Sequence, residues 1–178
     1  MIVNQNTVLE LIAQVHAPAI FDIVQHNREH LRQWLGWVDR AQDVQFIENF
    51  VAGAQHRHAQ GTEYSFVMIT DGRVVGRIGL YKLDAANQSA EIGYWIAADQ
   101  QGRGLVLQSC QRLLQFCFEE LGLHRLEIRC GTGNLRSQRI PQLLGFEKEG
   151  TLRQAEYLHG AFIDLDVFGL LRQDYLKA

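Results

Sequence analysis

Gln101-Gly102-Arg103-Gly104-Leu105 sets two glycines around an arginine, between a strand-like run ending at Ile96 and a helix-like run starting at Leu105. Glycines let the chain turn tightly and bring its amides close to a ligand, and the free N–H groups of a first helical turn add positive potential. The chemistry this spacing suits is binding of a phosphate-bearing cofactor; by itself it equally describes a plain strand-to-helix turn. Four histidines offer metal spacing, His26 with His30 and His56 with His58, but no carboxylate motif completes either pair, so no metal site is expected. The three cysteines, Cys110, Cys117 and Cys130, are odd in number and lack C-x-x-C spacing, which indicates neither a disulfide framework nor a thiolate zinc site and fits a reducing cytoplasm. Cys110 and Cys117 lie on the apolar face of a helix and read as core.

The elements that must position the loop follow from periodicity. The chain has 178 residues, 47% of them hydrophobic, enough for one domain over residues 1–178. A net charge of −3 argues against a nucleic-acid-coating protein. No basic leader opens the chain and no segment approaches the roughly 20 apolar residues that span a bilayer, so no membrane partner is expected. Val8 to Ala13 predicts a strand, Pro18 to about Asn27 a helix, Glu29 to Val38 a second short helix, and Val44 to Gln60 a third. The period then becomes that of strands: Tyr64–Thr70 and Arg73–Leu83 flank the hairpin signal Asp71-Gly72, and Ala90–Ile96 adds a third strand. Leu105 to Leu121 predicts an amphipathic helix and Arg125 to Cys130 a strand. Asn134 caps a short helix ending near Gly145, and Phe146–Ala155 with Ala161–Leu171 close the sheet. The order gives an α/β fold with a mixed sheet.

In this order the motifs L-R-Q-W-L-G-W (Leu31–Trp37), I-G-Y-W-I (Ile92–Ile96), Q-G-R-G (Gln101–Gly104), N-L-R-S (Asn134–Ser137), L-G-F (Leu144–Phe146) and Q-A-E-Y (Gln154–Tyr157) carry a resemblance. The chain resembles the GNAT superfamily of acetyl-CoA-dependent N-acetyltransferases, within it the ribosomal-protein-serine acetyltransferase branch. The resemblance implies the GNAT fold: a central mixed, mostly antiparallel, twisted sheet flanked by helices and splayed between the fourth and fifth strands. It places the acetyl-CoA diphosphate on Gln101, Gly102, Arg103, Gly104, Leu105 and Val106, where Val106 replaces the family's glycine or alanine. It lays the pantetheine arm beside Trp95 and Ile96, with Asn134 binding it or nearby backbone.

The same resemblance implies catalytic roles. The tyrosine that protonates the leaving thiolate in many relatives would fall at Pro141, so Ser137 takes that role. Glu156 draws the proton from the incoming amine, directly or through water. Arg32, Trp34, Trp37, Tyr64, Arg77 and Tyr157 are candidates to line the acceptor pocket, although helical spacing also makes Trp34 and Trp37 good core residues. The implied reaction is direct attack of an amine on acetyl-CoA in a ternary complex. The acceptor is a protein α-amino group such as a ribosomal-protein amino terminus, or alternatively a polyamine or antibiotic, and related proteins pair as homodimers. Two rivals remain: a nicotinamide-binding fold, disfavoured because Leu107 stands where G-x-G-x-x-G needs glycine, and a catalytically silent acyl-CoA-binding module.

Overall fold

Asp71 and Gly72 both take the left-handed conformation, φ 50° and 74°, which is the backbone a tight two-residue hairpin demands. That turn joins β2 (Tyr64–Thr70) to β3 (Arg73–Asp84), as the sequence predicts. The computed structural model describes residues 1–177. Around this hairpin the chain runs β1 (Thr7–Leu11), α1 (Ala17–His26), α2 (Arg28–Leu31) and α3 (Val44–Ala59) before it, and β4 (Ser89–Ile96), α4 (Leu105–Gln115), β5 (Arg125–Gly131), α5 (Leu135–Leu143), β6 (Glu147–Leu158), β7 (Ala161–Leu171) and α6 (Arg172–Tyr175) after it. The strands form one mixed sheet in the order β1-β2-β3-β4-β5-β7-β6. β4 and β5 run parallel; every other neighbouring pair is antiparallel.

Alternation along the strands builds two cores. Ile78, Leu80, Ile92, Leu126, Ile128 and Phe168 face α4, whose Cys110, Leu113, Leu114 and the following Cys117 and Phe118 fill that side. Val67 and Trp95 face the other way, onto Ala17, Ile20, Val24, Ile47 and Val51 of α1 and α3. The cysteines read as core are fully buried and free.

Two helices differ from their predicted spans. The apolar period through Trp37 predicts one helix, yet α2 stops at Leu31 and the chain turns through Gly36 to a short 3-10 turn at Val38–Arg40. The Arg28 guanidinium donates to the Val38 and Ala41 carbonyls at 2.6 Å each, tying the folded-back segment to the start of α2. Trp34 and Trp37 are thereby freed to dock on different partners. The predicted Leu105–Leu121 helix keeps its α form only to Gln115, and Phe116–Glu120 widens to a π turn. α6, whose Tyr175 stacks on Phe118 at 4.8 Å, is too short for a periodic signal.

Candidate active site

β4 and β5 are paired only from Ser89↔Arg125 to Ile92↔Ile128, although β4 continues to Ile96 and β5 to Gly131. Past Ile92 the strands part, while β4 stays bonded to β3 and β5 to β7. Ala97 N–H bonds the Val75 carbonyl on β3, so strand alternation turns the amides of Tyr94 and Ile96 toward the gap. This is the expected splay, with unpaired backbone donors along one lip.

The glycine loop follows at once. Gly102 and Gly104 take φ 74° and 73°, and Gly104 caps α4 in the left-handed conformation, leaving the first amides of α4 without helical acceptors. A Cβ at Gly102 would meet nothing within 4 Å, so the loop is open to a ligand. Leu105 is buried and Val106 packs partly against the main core, so the branched side chain in the sixth place points inward while its amide remains in the first turn. The Gln101 carboxamide is held at both ends, taking a 2.6 Å bond from Arg136 on its oxygen and lying 3.0 Å from His30 Nε2 through its nitrogen. Arg103 is held by Gln100. The free amides with Arg103 and Arg136 beside them fit a diphosphate, supplying donors and positive charge.

Asn134 caps α5, its Oδ1 accepting from the Ser137 amide at 3.2 Å. Ser137 Oγ lies 3.2 Å from Cys130 Sγ and 3.3 Å from the Tyr94 phenol, and the same phenol donates to the Ser137 carbonyl at 2.9 Å. Burial, with the neighbouring Cys110 and Cys130, pushes the Tyr94 hydroxyl well above its ordinary value, and burial likewise raises Cys130. Both groups are therefore neutral donors in neutral solution. Gln138 fixes the turn before α5 by donating to the Gly131 and Thr132 carbonyls at 3.0 Å each.

Glu156 lies on the opposite face of the same opening. It stands across from Ile163 in the β6–β7 pair, and directly opposed residues point to one side. A Cβ at Gly131 would come 3.0 Å from the Trp34 ring and 3.5 Å from Ile163 Cδ1, which puts Trp34, Ile163 and Glu156 on the face away from Cys130 and Ser137. Glu156 is half-buried and forms no ion pair or side-chain hydrogen bond among the described residues, and desolvation raises its pKa above its ordinary value. Tyr157 is exposed beside it and meets Phe162 edge-on at 5.0 Å. Trp37 packs on Trp95 at 6.2 Å.

Other candidate side chains sit elsewhere. Arg77, expected at the acceptor pocket, is buried with its guanidinium on Ser65 Oγ at 2.7 Å and Glu63 at 3.2 Å, over the Phe50 ring. Tyr64 lies on the α4 side, edge-on to Phe116 at 5.3 Å, because its place in β2 points it to that face. Arg32 is paired with Asp39 at 2.9 Å. The side chains of Trp95 and Ile96 are buried in separate cores, so only their backbone reaches the opening. The structure also adds Tyr94, Cys130 and Gln138, which the sequence reading does not single out for the site. For Tyr94 the signal lay in I-G-Y-W-I; Gln138 offers none.

Comparison with known proteins fits this geometry. The family described as Acetyltransferase (GNAT) domain matches residues 6–147. The ribosomal-protein-serine acetyltransferase of Escherichia coli (strain K12) is 28% identical over 166 residues, 93% of each chain. The spermidine N(1)-acetyltransferase of the same organism is 26% identical over 153 residues, 86% of this chain and 80% of that one. A solved structure of RimL, a ribosomal alpha-N-protein acetyltransferase in complex with coenzyme A, superposes with a TM-score of 0.93 at 26% identity over 96% of both chains. With an open parallel strand pair, a free-amide loop and matches across most of its length, the chain belongs to the GNAT acetyltransferase family and is an acetyl-CoA-dependent N-acetyltransferase.

Proposed function

We propose that the acceptor is the α-amino group of a protein, first among candidates the amino terminus of a ribosomal protein, and that Glu156 and Ser137 move the protons. The observation that carries the reading is an unpaired, half-buried carboxylate on one face of the β4–β5 opening with a serine hydroxyl on the other. Bound acetyl-CoA supplies an acetyl group activated as a thioester. The amides of the Gly102–Val106 loop, with Arg103 and Arg136, hold the diphosphate, and Asn134 keeps α5 in place beneath the pantetheine arm. The Tyr94 and Ile96 amides aim at the gap where negative charge develops on the carbonyl oxygen, and fixed dipoles there need no reorganisation. Glu156 takes a proton from the amine, directly or through water, a task suited to a carboxylate with raised pKa. Ser137 Oγ donates to the departing sulfur.

Cys130 supports this placement: in RimL coenzyme A is joined to a cysteine by a disulfide, and here Cys130 Sγ lies beside Ser137 Oγ. Trp34, Trp37 and the exposed Tyr157 wall the side from which the amine would enter. A cytoplasmic homodimer belongs to the same proposal, supported by three free cysteines and by β6, a sheet edge exposed along nearly its whole length.

The test is coenzyme A release with amino-terminal peptides of ribosomal proteins set against spermidine and aminoglycosides. We expect the highest kcat/KM on a peptide. Turnover of spermidine with all peptides inert would replace the protein acceptor by a polyamine; release on none would leave a binding module.

A further inference from the structure

We infer that Tyr94 is the positioning residue for Ser137, supplying to its carbonyl the hydrogen bond that Pro141 withholds. The inference rests on the reading of Ser137 as donor to the leaving sulfur.

In an α-helix the carbonyl of residue 137 takes its hydrogen bond from the N–H of residue 141. Here that residue is proline, which has no N–H and whose ring pushes the carbonyl away from the helix axis. Pro141 is buried, so the orphaned acceptor is poorly placed to be satisfied by water. The donor comes from another element. Tyr94 sits two residues beyond the last β4–β5 pair, where β4 has left β5, and its hydroxyl reaches the Ser137 carbonyl at 2.9 Å.

That bond sets the direction of the others. A phenol has one hydrogen and the carbonyl can only accept, so the hydrogen of Tyr94 is committed. The contact of 3.3 Å between Ser137 Oγ and the phenol oxygen must then be donated by the serine. Cys130, 3.2 Å from Ser137 Oγ, donates in turn to the serine. The chain runs thiol to serine to phenol to carbonyl, and the serine hydrogen occupies its longest oxygen–oxygen link. Turning that hydrogen about Cβ–Oγ toward a thiolate in the gap gives up only this long bond. Backbone and hydroxyl of Ser137 are thus both fixed by one phenol, and the need for that phenol is created by one proline.

The experiment is a double-mutant cycle on the full chain. Tyr94→Phe is expected to lower kcat about tenfold with KM for acetyl-CoA little changed, and to lower Tm by about 2–4 °C. Pro141→Ala restores an N–H to the helix. In the Pro141→Ala background, Tyr94→Phe should cost clearly less in both kcat and Tm. Equal losses in the two backgrounds would overturn the carbonyl cap. Wild-type kcat in Tyr94→Phe, alongside a lowered kcat in Ser137→Ala, would overturn the positioning role while keeping the serine. Wild-type kcat in Ser137→Ala would remove the serine reading, and positioning with it, while the Tm cycle still reports the cap.

Discussion

Glu156 separates two explanations of a carboxylate at an opening, base or bystander, because its pKa is raised by burial with no cation to offset it. Glu156→Gln should lower kcat by about 10²-fold or more while leaving the Kd of coenzyme A nearly unchanged; equal turnover would remove the base assignment. In the wild type kcat/KM should climb as pH rises through a midpoint above the ordinary glutamate value, since only the ionised form accepts the amine's proton, and that limb should vanish in the glutamine variant. The linkage has a definite sign. A carboxyl whose folded pKa exceeds its unfolded one binds more protons when folded, so stability declines as pH rises across the window between them. At neutral pH Glu156→Gln should therefore melt no lower than the wild type, which differential scanning calorimetry checks.

At the scale of elements, the proposed cofactor end rests on one helix start and one helix cap. Gly104 holds φ 73° at the head of α4, a conformation that costs an L-residue about 1–2 kcal/mol. Gly104→Ala should lose about that much stability in a urea melt, and its added Cβ, 3.4 Å from the Gln108 carboxamide, should shift the loop and weaken coenzyme A binding by calorimetry. Unchanged affinity would move the diphosphate elsewhere. α2 acts differently. Its shortness lets α2 and the residues on either side of it bridge the open end of the sheet. Asn27 accepts from the Ala98 amide at 2.8 Å and His30 meets Gln101, tying it to the loop after β4. His159 reaches the Arg32 carbonyl and lies 3.5 Å from Asp39, tying the tip of the β6–β7 hairpin to the same segment. Trp34, between these ties, is thereby laid over Gly131 and Gly133.

Across the whole molecule, the face that carries Glu156 also carries a buried ion pair. Arg77 and Glu63 are both nearly inaccessible, with Arg57 closing the carboxylate at 2.5 Å from the surface side. Removing one member leaves an uncompensated buried charge. Glu63→Gln should destabilise the fold by about 3–5 kcal/mol in guanidinium melts, with KM for the amine unchanged in the folded fraction. A selective rise in that KM would return Arg77 to the acceptor pocket. The pair fastens β2 to β3 behind the site, so the expected loss is one of stability.

The sequence alone determined the periods, the turns and the motifs. Strand alternation, the left-handed Asp71-Gly72 turn, the Asn134 cap and the glycine loop are local properties, fixed by neighbours in the chain, and each was legible there. What tertiary structure decided is everything that depends on facing partners. Tyr94 reached Ser137 across 43 positions of sequence. Tyr64 and Arg77, a short way apart along the chain, fell on opposite faces because strand parity and pairing, not residue type, set which way each points. The second helix stopped at Leu31, and its two tryptophans then met partners far away in the chain, Trp37 on Trp95 and Trp34 over Gly131. Side-chain chemistry is written residue by residue, but the company each side chain keeps is set by how distant strands pair, and no local pattern encodes that.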